Sequence, residues 1–269
     1  MRPVASSGAG LRKYRGEKQM KCAYSTNIGA RRKVNQDACL AATIENRGRK
    51  YYVFAVADGL GGHLSGEVAS QMCVDYIRNN FSKLENYSDY NEVNQFINAI
   101  NAQIVSKSQE CESCKGMATT LTMCILDGYH LEIVHIGDSR AYRIHDKTIE
   151  QLTKDHSLVQ VLVDEGKITK QEASTHPQKN VITRALGTDE YIQADFFSYE
   201  LNPGDVVLIC SDGLYNMVKN EAIRSIVVQN PLEESVKELI DLANYNGGMD
   251  NITVVLFEPE EKGVTGHDK

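Results

Sequence analysis

Val53-Phe54-Ala55-Val56-Ala57-Asp58-Gly59 and Val206-Val207-Leu208-Ile209-Cys210-Ser211-Asp212-Gly213 follow one plan, an apolar run that ends at an Asp-Gly pair, after one serine in the second case. Runs of five or more apolar residues read as strands buried on both faces. The glycine behind each aspartate lets the backbone turn sharply and approach a ligand. Asp138 follows the run Leu131 to Gly137, and Asp250 precedes the run Ile252 to Phe257. Four aspartates at four strand ends predict one site. Asp127-Gly128 is a further such pair and reads as a hairpin turn.

Carboxylates decide the chemistry of such a site. At ~4 Å and an effective dielectric of ~20, each unpaired pair repels by roughly 4 kcal/mol, so four converging aspartates require cations between them to stay ionised. An all-oxygen ligand set, with no His or Cys pair at metal spacing, points to magnesium or manganese rather than zinc.

The chain has 269 residues, 42% hydrophobic and 24% charged, which fits one enzyme-sized domain. A net charge of -7 argues against a nucleic-acid surface, and phosphate ligands would need local positive charge. Seven scattered cysteines do not read as a secreted disulfide framework and fit a reducing cytoplasm. Cys111 and Cys114 form a C-x-x-C, but no second pair completes a zinc site and no thioredoxin-like context surrounds them. The longest apolar stretch, Tyr51 to Ala57, is far short of the ~20 residues of a membrane span. Residues 1–19 carry several basic and small residues without a signal-peptide core, and read as a flexible leader or expression remnant, with Met20 a candidate functional start. The polar end, 259–269, reads as a loose tail, leaving 20–258 as the domain.

Helical spacing recurs at Val68, Met72, Tyr76 and Ile77 after Ser65, and at Val93, Phe96, Ile97, Ile100 and Ile104 after Asp89. Segments 118–126, 129–136 and 140–145 read as strands joined by tight turns, hence antiparallel rather than βαβ-linked. The class is therefore α+β. Thr169-Lys170-Gln171-Glu172 is a capping box opening a short helix, and Val236, Leu239, Ile240 and Ala243 mark a late amphipathic helix ending near Gly247.

Arg32-Lys33-Val34-Asn35-Gln36-Asp37, Asp58-Gly59-Leu60-Gly61-Gly62-His63, Gly137-Asp138-Ser139-Arg140, Ser211-Asp212-Gly213-Leu214 and Asp250-Asn251 occur in that order. In order and spacing the chain resembles the bacterial form of the type 2C metal-dependent (PPM) serine/threonine protein phosphatases, over roughly residues 21 to 257. Leu152 to Ser157, His176-Pro177 and Ile182 to Gly187 resemble that family's mobile flap, here about 155–187. The resemblance implies a sandwich of two antiparallel sheets flanked by helix pairs, with a small flap subdomain and the site at one end. It also implies phosphomonoester hydrolysis by a metal-bridging water without a phosphoenzyme.

Carried over by position, Asp58 would bridge two core Mn2+ or Mg2+ ions, the Gly59 carbonyl would hold one of them, and Asp212 and Asp250 the other. Asp138 and Asp212 would share a weaker third ion. Arg32 matches the phosphate-binding position, where a guanidinium fork takes two oxygens at once; outside the motif, an arginine in Arg31-Arg32-Lys33 would simply face solvent. His63 is the candidate general acid for the leaving oxygen. Many relatives outside bacteria carry histidine directly after the Asp-Gly, where this chain has Leu60, so a loop-shaping role is the alternative for His63. Gln36 stands where many members have glutamate, which implies weaker binding at one ion. Asp37 would orient metal-bound water from behind the ligands. Asn251 is expected to satisfy backbone groups around Asp250, and Thr119 and Thr120 to fill a strand beside the site. Asn216 replaces an aspartate that some relatives place near the third ion.

The implied protein is a monomeric cytoplasmic phosphoserine/phosphothreonine phosphatase opposing a bacterial serine/threonine kinase. Two alternatives stay open: a non-catalytic regulatory module on the same fold, and a small-molecule phosphoesterase. Intact metal ligands speak against the first; activity on a phosphothreonine peptide relative to metabolites separates the second.

Overall fold

Side-chain parity along the two opening runs sets the layers. In the computed structural model, which describes residues 20–61 and 65–259, Phe54 and Val56 point to one side of their strand and Val53, Ala55 and Ala57 to the other, and both sides are buried. That strand, β3 (Arg49–Leu60), lies between β2 (Asp37–Asn46) and β5 (Leu121–Asp127). β6 (His130–Ile136) and β9 (Asp195–Glu200) extend the sheet, and the two-residue β4 (Ala118–Thr119) pairs with the end of β3. The second sheet runs β1 (Cys22–Asn27), β11 (Ile252–Phe257), β10 (Val206–Cys210), β7 (Arg140–His145) and β8 (Thr148–Gln151). Every pairing in both sheets is antiparallel.

Phe54, Val56, Cys124 and Ile133 of the first sheet meet Ala141, Val207, Ile209, Val255 and Phe257 of the second, and the Phe54 and Phe257 rings stack at 4.0 Å. Burial of each such ring is worth about 1.5–3 kcal/mol, and the stack adds about 1 kcal/mol. The outer face of the first sheet carries α1 (Ser65–Asn80) and α2 (Tyr90–Glu110). The second carries α6 (Asn220–Gln229) and α7 (Leu232–Tyr245). The sandwich with flanking helix pairs is thus the observed architecture.

Local signals hold in most places. Asp89 caps α2 by accepting from Asn91 N and Glu92 N, and the five apolar residues expected on its inner face are all buried. In α1 the buried stripe is centred on Ala69, Cys73, Val74 and Ile77, with Val68, Met72 and Tyr76 only partly covered. The face is rotated from the expected one because small residues let the helix sit close to β3. Gly128, at a φ of +66°, closes the β5–β6 hairpin.

Two strand expectations need correction. The run 118–126 breaks at Thr120, whose N–H donates to Asp58 O, so β4 and β5 are separate strands. β6 and β7 do not pair with each other: at Gly137-Asp138-Ser139 the chain leaves the first sheet and joins the second, where β7 lies between β10 and β8. Gly137 makes the crossing at a φ of +106°, with Thr120 side-chain atoms 2.5 Å from where a Cβ would lie. The expected leader 1–19, His63 and the tail beyond residue 259 lie outside the described residues.

Candidate active site

Asp58 sits near the end of β3, opposite Asp37 at the start of β2. Its N–H donates to Thr120 Oγ1 at 3.0 Å, and its carbonyl accepts from Thr120 N at 2.9 Å and Thr119 Oγ1 at 3.0 Å. Both threonines are fully buried, so they fix the backbone that carries the carboxylate. Gly59 donates its N–H to Gln36 O at 3.0 Å, and a Cβ there would lie 2.1 Å from Gly66 O. Only glycine lets the start of α1 seat against this loop.

Asp212 opens the short helix α5 (Asp212–Tyr215) directly after Ser211, and Asn216 Nδ2 donates to its Oδ2 at 3.0 Å. A Cβ on Gly213 would lie 1.9 Å from Asn251 O, which seats α5 on the segment before β11. Asp250 stands on that segment. Its Oδ1 accepts from Asn251 N at 2.8 Å and its Oδ2 from Arg32 Nη2 at 2.6 Å. Asp138 lies in the crossing between sheets, with Tyr215 O–H donating to its carbonyl at 3.0 Å.

Asp37 is buried, and its Oδ2 accepts from Ser211 Oγ and Thr253 Oγ1, each at 2.7 Å. Gln36 contributes through its backbone: N–H to Asn251 Oδ1 at 2.8 Å, carbonyl to Ser70 Oγ and Gly59 N. Its side-chain amide packs beside Gly66 at the start of α1. Asn251 acts on a different segment from the one expected. Besides accepting from Gln36, it donates to Ile28 O at 2.9 Å and Val34 O at 3.0 Å, so it shapes the loop that carries Arg32 rather than the turn around Asp250.

Electrostatics tie these carboxylates together. Loss of hydration raises Asp58 well above the usual carboxylate range, and Asp37, Asp212, Asp138 and Asp250 push it further. Asp212 is raised in the same way, by loss of hydration and then by Asp138, Asp250 and Asp37, with Arg32 opposing. Burial lifts Asp138 to about 7 and Asp37 to about 6. Oδ1 of each of Asp37, Asp138 and Asp212 is buried with no donor among the described residues. Buried anionic oxygens without donors, among like charges, are a donor set for a hard divalent cation. Among the described residues no three carboxylate, imidazole or thiol groups are gathered tightly enough to hold an ion unaided. An ion here would keep several waters, as magnesium does.

Sequence reasoning missed the frame behind Asp138. Arg140 forks onto Asp155 through Nε and Nη2 at 2.7 to 3.1 Å and lies 3.7 Å over the Tyr215 ring. His156 donates its backbone N–H to Gly137 O at 2.7 Å, and its Nδ1 accepts from Gly137 N at 3.0 Å. Asp155 and His156 open the expected flap, which contains α3 (Leu158–Asp164) and α4 (Lys170–Thr175), the latter with the capping box on Thr169. Lys179 Nζ reaches back to donate to Asn216 Oδ1 at 3.0 Å. No local periodicity signals these contacts; the one visible hint was Arg140 beside Asp138.

A family model described as protein phosphatase 2C matches residues 29–256. A putative protein phosphatase 2C-type of Streptococcus pyogenes is 38% identical over 251 residues, 91% of this chain and 100% of that one. The solved serine/threonine phosphatase Stp1 of Staphylococcus aureus is similar at 35% identity and a TM-score of 0.82, over 94% of this chain and 100% of its own. The catalytic domain of the serine threonine protein phosphatase PstP, in complex with 2 manganese ions, is similar at 36% identity and a TM-score of 0.76, over 89% of this chain and 97% of its own.

Proposed function

The chain belongs to the protein phosphatase 2C family and is a serine/threonine protein phosphatase, and on that premise we propose that it removes phosphate from phosphoserine and phosphothreonine by direct attack of water, using manganese or magnesium and no phosphoenzyme. The observation that carries this reading is the electrostatic convergence of Asp58, Asp212, Asp138 and Asp37 from two sheets, with three buried carboxylate oxygens that have no donor among the described residues.

Asp58, the Gly59 carbonyl, Asp212 and Asp250 would hold the two core ions, and Asp138 with Asp212 would hold a third. Bound there, the cations supply charge against the phosphate and acidify the attacking water. Arg32, half-exposed and charged beside Asp250, turns its fork onto two phosphate oxygens. A loose transition state asks for such positioning and charge more than for covalent chemistry. Asp37, held at one oxygen by Ser211 and Thr253, keeps its other oxygen to orient water. His63 donates the proton to the leaving serine or threonine oxygen. Gln36 leaves one ion without a charge that a glutamate would add. Residues 155–187 shape access for protein substrates. The phosphatase acts as a monomer in the cytoplasm, against a serine/threonine kinase and its targets. No helix among the described residues is long and apolar enough to cross a membrane.

The test is manganese-dependent hydrolysis of a phosphothreonine peptide by the native chain and Asp250→Asn. Loss of one ligand charge is expected to lower turnover by at least ~100-fold while circular dichroism is unchanged. Wild-type turnover of the variant at saturating manganese would overturn the assignment.

A further inference from the structure

All seven cysteines are free thiols, and two of them, Cys111 and Cys114, share one turn. Cys111 caps the C-terminus of α2, and Cys114 closes a one-turn 3-10 helix, Glu112–Cys114. Cys114 N–H donates to Cys111 O at 2.9 Å. A turn closed in this way holds its end Cα atoms within ~7 Å, overlapping the ~4.4–6.8 Å that a disulfide spans. Ser113 Oγ lies 3.1 Å from Cys111 Sγ, within the same turn.

The local chemistry separates this pair from the rest. The Ser113 hydroxyl, followed by the Cys114 thiol, brings Cys111 down to about 7, so a large share is thiolate near neutrality. Burial raises Cys22, Cys39, Cys73, Cys124 and Cys210, which makes them inert. Cys111 is partly exposed while Cys114 is buried beneath it, the arrangement of an attacking thiol over a resolving one.

We propose that Cys111 and Cys114 form a redox-active dithiol, which a low-molecular-weight disulfide of the glutathione class oxidises to an internal disulfide. The Cys111 thiolate attacks one sulfur of the oxidant, forming a mixed disulfide and expelling the first thiolate. The Cys114 thiolate then attacks Cys111 Sγ and expels the second. Two electrons leave the protein dithiol, and the oxidant leaves as two thiols after taking up the two protons. The missing thioredoxin-like surroundings argue only against an oxidoreductase fold; the turn itself supplies the proximity.

Tryptic cleavage after Lys107 and Lys115 releases Ser108–Lys115, which contains both cysteines and no other. The native, manganese-loaded chain is equilibrated with graded mixtures of reduced and oxidised glutathione, quenched with iodoacetamide and digested. The peptide is expected to shift from doubly alkylated to unalkylated and two hydrogens lighter than the free dithiol, at a glutathione ratio at least ~tenfold less oxidising than the same chain needs in urea. Cys111→Ser is expected to abolish the lighter species and leave phosphopeptide turnover unchanged. Double alkylation at every ratio, a mixed disulfide that never resolves, or coinciding midpoints in native buffer and urea would each overturn the proposal.

Discussion

Removing the cations should make the folded chain prefer acid. A carboxyl whose folded pKa is raised binds its proton more tightly folded than unfolded, so stability is fully present below the unfolded value and is lost as pH rises through the folded one. Asp138 is raised to about 7, and Asp58 and Asp212 stand well above their ordinary 3.8. Between about pH 8 and 6.5, Asp138 contributes on the order of 1 kcal/mol at ~1.4 kcal/mol per unit, and Asp58 and Asp212 act in the same direction. Histidines oppose this: burial lowers His135 to about 3 and also lowers His156, so their share of stability falls as pH drops below the unfolded value. Within that window they take back less than ~1 kcal/mol, because unfolded histidine is only about half charged by pH 6.5. The chelated chain should therefore gain on the order of 1 kcal/mol or more on going from about pH 8 to 6.5. Saturating manganese should cancel or reverse that gradient, since ligation needs the ionised carboxylates and protons compete with it. Urea unfolding at both pH values, with chelator and with manganese, measures all four states. A chelated chain whose stability is flat or rises toward pH 8 would refute the clustering of these carboxylates.

Other substitutions probe single contacts. Arg32→Ala should lower phosphopeptide kcat/KM by at least ~30-fold; because the Arg32–Asp250 pair is half-exposed, the manganese titration should move less than ~5-fold. Unaltered peptide kinetics would return Arg32 to a solvent-facing role. Asn251→Ala strands the backbone groups of Ile28, Val34 and Gln36, and should cost about 2–4 kcal/mol in denaturant melts; a loss under ~0.5 kcal/mol contradicts the clamp. Replacing 157–178 with a short Gly-Ser linker should reduce phosphopeptide turnover far more than aryl phosphate turnover, whereas equal losses would mean that the flap supports the metal site.

What could be read beforehand was whatever repeats locally. The Asp58 and Asp212 strand ends, the buried face of α2 and the Thr169 capping box each rest on residues a few positions apart, where strand and helix periods act. The transfer of β7 to the second sheet was hidden because a tight Gly-Asp-Ser turn looks the same whether or not its flanking strands pair. The Asn251 clamp joins positions more than 200 residues apart, and the Arg140–Asp155–Tyr215 frame joins three separate segments. Such pairs are chosen by the closed fold. The motif order named the aspartates, but which neighbours hold each one required the sheets to be assembled.

The pairing of β11 between β1 and β10 also bears on how the chain comes to life on the ribosome. Arg32 and Asp250 are 218 positions apart, and Asp250 lies two residues before the strand that closes the second sheet. Synthesis runs from the N-terminus, so a nascent chain can lay down β2, β3, α1 and α2 early. Until residues 250–257 emerge, β1 and β10 have no common partner and Asp250 does not exist. Contacts of such sequence separation form late and slowly. On the proposed metal assignment, catalytic competence arrives with the last strand, and a chain that stops short of β11 carries Asp58 and Arg32 without the completed site.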